Sequence, residues 1–422
     1  MWFAKKRVYM DYAGATPPLP EAVRVFRDAA EIYGNPGAIH AEGVVARTVL
    51  DASRASLARE LGVKAREIVF TSGATEANNL AILGRFKRVV LSGRKPQETH
   101  WVVSAIEHPS VLECFRHIAE MGGNVTEVNP DGRGMVSAET VARALKPETV
   151  FVSVGWANHE IGVVQPLSKI ARAIREHEDH VNQNSTSQTS VRKSDLWNTR
   201  KYGVIFHSDA GQAPLYISPQ VHTLGVDLMT FDAGKLYAPR GTGLLVGKRH
   251  RGKEGALLAP TILGSGQEFG VRAGTENVAL VAAFSEAFAI ISKEREQESR
   301  RVQKLRDELA RKLIARIPGL VINGDSRQGE ALPHVLNVSI PNIQSEYLAL
   351  QLDQASIAVS TKSACKNVEQ FSHVVRALGG EAWRAESTIR ISLGRDITAR
   401  DIQKTIDVLV ALITPIPNQR NN

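Results

Sequence analysis

Apolar and polar positions alternate along this chain in blocks of two kinds. Short apolar runs of four to six residues read as buried strands, and longer stretches with apolar residues every three or four positions read as helices. Residues 9–17, YMDYAGATP, predict an extended arm ending in a Pro-rich turn. EAVRVFRDAAEIYG predicts a helix stopping at Gly34, and AEGVVARTVLDASRASLARELG a long amphipathic helix ending at Gly62. A strand–turn–helix unit then recurs. It is seen in REIVFTSGATEANNLAIL, in WVVSAIEHPSVLECF with Pro109 in the helix's first turn, and in TVFVSVGWANHEIGVVQP followed by SKIARAIREH. NVTEV and GTGLLVGKRH read as further strands. Strands alternating with helices predict an α/β fold built on an open sheet.

The rhythm breaks twice. Residues 178–201 are polar and rich in Ser, Thr and Asn, which predicts an exposed insertion. LGSGQEFGVRAGTENV is Gly-rich and too polar for a core strand. A helical segment from about Glu276 to Ile317 then leads to a second, smaller unit. There HVLNVSI, ASIAVS and STIRISLG read as strands, and YLALQLDQ, HVVRAL and ARDIQKTIDVLVALI as helices. The predicted organisation is an arm over 1–19, a large domain over 20–255, and a linker helix with a small C-terminal α+β domain over 256–422.

Composition narrows the function classes. The chain has 422 residues, 43% of them hydrophobic, and a formal net charge of +8. This suits a soluble globular chain with a modest basic excess, and no basic block interleaved with aromatics argues for nucleic acid. No apolar run reaches membrane-spanning length, and the N-terminus lacks the apolar core of a signal peptide. The 2 cysteines, Cys114 and Cys365, stand far apart, with no metal-ligand spacing; no metal is expected, and a reducing, cytoplasmic compartment fits.

Candidate chemistry gathers between Phe206 and Gly243. Asp209 follows the run GVIF, and Lys235 lies between LMTF and a Gly- and Pro-rich turn. An acid and a lysine at neighbouring strand ends are what pyridoxal phosphate requires: the lysine forms the Schiff base, and the acid keeps the pyridine nitrogen protonated. The turn TSGAT places backbone amides and two hydroxyls at a helix start, an anion site with Ser72 or Thr75 as the expected cap. His108 and the trio Asn158, His159 and Glu160 fall at the C-terminal ends of strands, where open α/β sheets bind ligands. Cys365 sits in a polar loop between Lys362 and Lys366, which favour its thiolate, whereas Cys114 lies on an amphipathic helix as a structural residue.

The segments YGNPGAIH, FTSGATEANNLAI, AIEHPSVLEC, ANHEIGVVQP, FHSDAGQA, KLYAPRGTG, GSGQEFGVRAGTENV, VSTKSACKN and IRISLG occur in this order. Together they resemble the cysteine desulfurases of the class V aminotransferase group (NifS/IscS-like), over nearly the whole chain. The resemblance implies a fold type I PLP enzyme with a mainly parallel seven-stranded sheet and a small C-terminal domain. It also implies a homodimer, L-cysteine as substrate, and a sulfur-accepting partner in iron–sulfur cluster assembly or tRNA thiolation. Lys235 matches the Schiff-base lysine, Asp209 the partner of the pyridine nitrogen, Gln212 the residue at the phenolic oxygen and His108 the stacked ring. Ala74 and Thr75 match the phosphate turn, and Thr275 a phosphate ligand given by the other subunit. Arg390, Asn158 and Asn35 match the clamp on the substrate carboxylate, and Cys365 the residue that takes the sulfur.

The chain departs from that pattern at Asp232-Ala233-Gly234-Lys235, where the family usually has Ser-Gly-His-Lys or Ser-Ala-His-Lys. The expectation is weakened cofactor retention, or an Asp232 that points elsewhere. Two alternatives stay open on the residues: another PLP lyase or aminotransferase of this class, selenocysteine-lyase-like, that does not use Cys365, and a non-catalytic sulfur-transfer partner.

Overall fold

The computed structural model describes residues 7–187, 203–247, 257–325, 327, 329–361 and 371–413. Its strands are β1 (Val8–Tyr9), β2 (Ile68–Thr71), β3 (His100–Ser104), β4 (Asn124–Val128), β5 (Thr149–Ser153), β6 (Ile205–Asp209), β7 (Leu228–Asp232), β8 (Gly243–Gly247), β9 (Val321–Ile322), β10 (Val335–Ser339), β11 (Ile357–Ala358) and β12 (Thr388–Ser392). The helices are α1 (Pro20–Ala30), α2 (Ala41–Leu61), α3 (Ala74–Leu91), α4 (Pro109–Glu120), α5 (Ala138–Ala144), α6 (Leu167–Ser187), α7 (Val221–Leu224), α8 (Val278–Arg316), α9 (Ser345–Gln354), α10 (His373–Ala377), α11 (Trp383–Glu386) and α12 (Ala399–Ile413).

Seven strands form the central sheet in the order β2-β8-β7-β6-β5-β3-β4. Only β8 runs against its two neighbours. The apolar runs suit this arrangement, because a parallel sheet covered by helices must be apolar on both faces, and the mainly parallel seven-stranded sheet is the one the family resemblance implied. Alternate residues serve opposite faces: Val102, Val152 and Phe206 join one core, and Trp101, Phe151 and Ile205 the other. The smaller C-terminal unit carries the antiparallel sheet β12-β10-β9.

Three expectations need correction. The polar stretch 178–201 is not an insertion from its start, because α6 continues to Ser187. Nothing between Glu176 and Ser187 breaks a helix, there being no Gly or Pro in that span; residues 188–201 lie outside the described residues. The first helix ends at Ala30 rather than Gly34. ASIAVS supplies only β11, which pairs in parallel with β1 of the N-terminal arm instead of joining the C-terminal sheet. That pairing ties the arm to the C-terminal unit and lays Asp11 to Gly14 across the sheet's edge.

Candidate active site

The C-terminal ends of β2, β3, β5, β6 and β7 share one edge of the sheet, and a cavity of about 290 Å³ opens there. Lys235, Asp209, Gln212, His108, Asn158, Ala74, Thr75 and Arg390 all line it. Their separation in sequence is closed by topology: Ala74 and Thr75 follow β2, His108 follows β3, Asn158 follows β5, Asp209 and Gln212 stand at and after the end of β6, Lys235 follows β7, and Arg390 lies on β12.

Asp209 is held in place by neighbours. Asn78 Nδ2, one turn into α3, donates to its Oδ2 at 2.7 Å, and the Gly211 amide donates to Oδ1 at 2.8 Å. Lys235 Nζ donates to the Ala13 carbonyl at 2.7 Å and also to that of Gly14, so the arm covers the amine. Burial, then the positive charge of Arg390, lowers the lysine's pKa, a shift that favours the neutral nucleophile. Arg390 is buried on β12; its Nη2 donates to Asp11 Oδ1 at 2.7 Å and its Nη1 to the His159 carbonyl at 2.8 Å.

His108 caps α4, its Nδ1 accepting from the Ser110 amide at 3.1 Å, which assigns the proton of the neutral ring to Nε2. Burial, followed by the nearby His159, pushes its pKa down to about 4, so the ring is neutral at physiological pH. The His159 ring packs edge-on against it with centroids 5.3 Å apart.

Several sequence-level roles shift. Asn158 lines the cavity, but its side chain is engaged in the loop: Nδ2 donates to the Ile106 carbonyl at 2.7 Å, and Oδ1 accepts from the amides of Glu160 and Ile161 at 2.9 and 3.0 Å. Asn35 does not meet Arg390 within the chain. It lines a separate cavity with Arg47, Arg54 and Glu268, and its Oδ1 accepts from the Gly37 amide at 2.8 Å as a turn former. Gln212 Nε2 donates to the Ala13 carbonyl at 2.8 Å, so it too secures the arm. Thr275 is exposed and lies outside the cavity. Neither Ser72 nor Thr75 caps α3 through its hydroxyl. Glu76 reaches back to the Ser72 amide at 2.8 Å, and the Ala74 amide goes to Asp232. Asp232 therefore does not point elsewhere. Cys365, Lys362 and Lys366 lie outside the described residues.

Three contributors escaped the sequence reading. Asp11 pairs with Arg390; Asn78 holds Asp209; Glu107 lines the cavity, accepts from the Gly155 amide at 2.7 Å, and has its carboxyl pushed up to about 8 by burial. Glu107 was visible as the acid beside His108, but nothing in the sequence shows that the fold buries it.

Comparison with known proteins decides the family. The class V aminotransferase family matches residues 8–197 and 195–405. A cysteine desulfurase IscS of Dictyoglomus turgidum is 33% identical over 97% of this chain and 95% of its own. One from Methylococcus capsulatus is 35% identical over 96% of this chain and 92% of its own. A solved NifS-like protein superposes with a TM-score of 0.83 at 28% identity, covering 96% of this chain and 99% of that one. The chain belongs to the class V aminotransferases, among the cysteine desulfurases.

These desulfurases depend on pyridoxal phosphate, and the donor set here fits the ring end of that cofactor. The carboxylate of Asp209 lines the cavity, and Lys235 offers a primary amine of lowered pKa. Beside it the backbone packs closely: a Cβ on Gly243 would lie 2.6 Å from the Phe231 carbonyl and 2.8 Å from Gly73, so β8 sits tight against the turn that leads into α3. No group of acidic, His or Cys residues able to hold a metal occurs among the described residues.

Proposed function

We propose that this chain converts L-cysteine to L-alanine and takes the released sulfur as a persulfide on Cys365. The sulfur then passes to an accepting protein of iron–sulfur cluster assembly or tRNA thiolation. The observation that carries the reading is the meeting of Lys235, Asp209 and Arg390 in one cavity, in a chain that aligns end to end with cysteine desulfurases.

When bound, pyridoxal phosphate supplies an electron sink for the pair left at the substrate Cα. Asp209 would accept a hydrogen bond from the protonated ring nitrogen of that cofactor and so favour its acceptor form. Arg390 binds the substrate carboxylate and so orients the Cα–H bond. Lys235, its pKa lowered, takes the Cα proton as base. His108, neutral with the proton on Nε2, offers a donor and an aromatic face at the mouth. The Cys365 thiolate attacks the substrate sulfur: an S–S bond forms, the Cβ–S bond breaks, and its electron pair goes to Cβ. That carbon takes a proton to become the methyl of alanine, and Cα takes back the proton that Lys235 removed. One cysteine and one enzyme thiol thus become one alanine and one enzyme persulfide.

A homodimer is part of the same reading. Ile39 and Leu263 are 98% and 73% exposed, and Phe269 and Tyr33 also face solvent, near the loop carrying Thr275. A second copy over this face would bury apolar surface and carry Thr275 and Asn35 toward the neighbouring site. We place the chain in the cytoplasm, whose reducing conditions keep both cysteines as thiols; among the described residues no helix is long and apolar enough to cross a membrane.

The test is Cys365→Ala. The variant is expected to keep the spectral response to added L-cysteine and to lose alanine production and protein-bound persulfide. Alanine formed at the wild-type rate would overturn the persulfide reading in favour of a lyase.

A further inference from the structure

The N-terminus of α3 faces the cavity, and Asp232 occupies it. Asp232 Oδ2 accepts from the Ala74 amide at 3.0 Å, and Oδ1 from the Gly234 amide at 2.8 Å. The carboxylate is thus pinned between the first turn of α3 and the turn that carries Lys235. Gly73 brings the strand-to-helix turn close, with a φ of 151°; a Cβ there would stand 3.5 Å from Asp232 Oδ2. The contact has the chemistry of an anion at a helix start, with the chain's own side chain as the anion. Ala74, Thr75 and Asp232 line the same cavity as Asp209 and Lys235. The end of the cavity suited to a phosphate therefore already holds a carboxylate.

We propose that Asp232 is a resident competitor for the cofactor's phosphate and sets how strongly this site distinguishes phosphorylated from unphosphorylated pyridoxal. A phosphate entering here must displace the carboxylate from the Ala74 amide or lie against a like charge. Neither cost falls on pyridoxal, whose hydroxymethyl group is uncharged. The chain therefore holds pyridoxal phosphate with an affinity close to that for pyridoxal, and exchanges it readily. The proposal rests on the cofactor assignment above.

Equilibrium binding of pyridoxal phosphate and of pyridoxal, followed by absorbance and by equilibrium dialysis, tests it in the wild type, Asp232→Asn and Asp232→Ser. Asp232→Asn removes the charge and keeps one acceptor oxygen for the amides. In both variants pyridoxal phosphate is expected to bind at least about tenfold more tightly, with pyridoxal unchanged within about twofold. The melting temperature of cofactor-free Asp232→Ser is expected to fall, since the α3 cap is lost, while added pyridoxal phosphate raises it more than in the wild type. A phosphate-to-pyridoxal preference that stays the same or falls in Asp232→Asn overturns the proposal, whether or not Asp232→Ser folds. Failure of all three proteins to bind either compound would instead overturn the cofactor assignment, and this proposal with it.

Discussion

Arg390 Nη2 lies 2.7 Å from Asp11 Oδ1, joining β12 to the N-terminal arm across 379 residues of sequence. The guanidinium proposed to hold the substrate carboxylate thus already holds a carboxylate of its own chain. Its Nε has no hydrogen-bond partner among the described residues. Asp11→Asn weakens the internal competitor and leaves a buried cation less well paired. We expect L-alanine, titrated by absorbance as a carboxylate probe, to bind a few-fold more tightly. Unfolding stability should fall by about 1–3 kcal/mol, as for a buried charged group that loses its partner. Arg390→Lys, which cannot reproduce the planar fork, should raise KM for L-cysteine about tenfold or more. Unchanged alanine affinity in Asp11→Asn would show that the two carboxylates do not share the arginine.

Asn78 acts through Asp209. Its Nδ2 also donates to Ser110 Oγ at 2.9 Å, linking the acid to the His108 cap. Asn78→Ala removes one of the hydrogen bonds that keep Asp209 aimed. The expected result is a kcat lowered by about tenfold with KM for L-cysteine little changed, the pattern of a lost transition-state contribution. The cofactor's absorbance maximum should shift as well, a change that a purely structural role for Asn78 would not produce. Equal losses in kcat and thermal stability, with the spectrum unmoved, would assign Asn78 to the scaffold.

Glu107 makes stability depend on pH in a defined direction. Its folded-state pKa is raised to about 8 from an ordinary value of 4.5, chiefly by burial. Below pH 4.5 both folded and unfolded chains carry the proton. As pH rises from there to about 8, the unfolded chain releases it and the folded chain keeps it, so Glu107 costs stability progressively. Relative to Glu107→Gln, which cannot ionise, the wild type should lose about 1.4 kcal/mol per pH unit across that window. Urea midpoints at pH 5 and pH 8 would show it; parallel curves for the two proteins would mean that Glu107 is charged in the folded state.

Arg54 and Glu268 anchor the Gly-rich loop. Arg54 Nη2 lies 2.6 Å from Glu268 Oε1, its Nη1 donates to Oε2 at 2.8 Å, and the Phe70 amide donates to that same Oε2 at 2.8 Å. The Arg54 guanidinium also lies 4.5 Å from the Phe70 ring centroid. Glu268→Ala leaves a buried arginine without its carboxylate and should cost about 3–5 kcal/mol in chemical denaturation. Glu268→Gln, which keeps the acceptor, should cost less. Because this loop carries Thr275, Glu268→Ala should also weaken self-association in sedimentation; a stable, fully associated variant would remove the loop from the proposed interface.

The sequence alone determined the layered α/β fold, because an apolar run with helices on either side has one stable home, inside a parallel sheet. It also determined which residues stand at strand ends, since a strand's end is a local property of pattern and turn. Lys235, Asp209 and His108 were legible for that reason, and the comparisons bear out the family that their motifs suggested. Only the tertiary structure decided what these groups touch. Asp11 meets Arg390 because β1 pairs with β11, a contact carrying no local signature. Asp232 sits on the α3 amide because Gly73 and Gly243 let two turns approach, so the acid that looked misplaced in its motif became a cap. Glu107 holds its proton because packing removes water from it, and burial is a sum over neighbours that no short stretch of sequence contains.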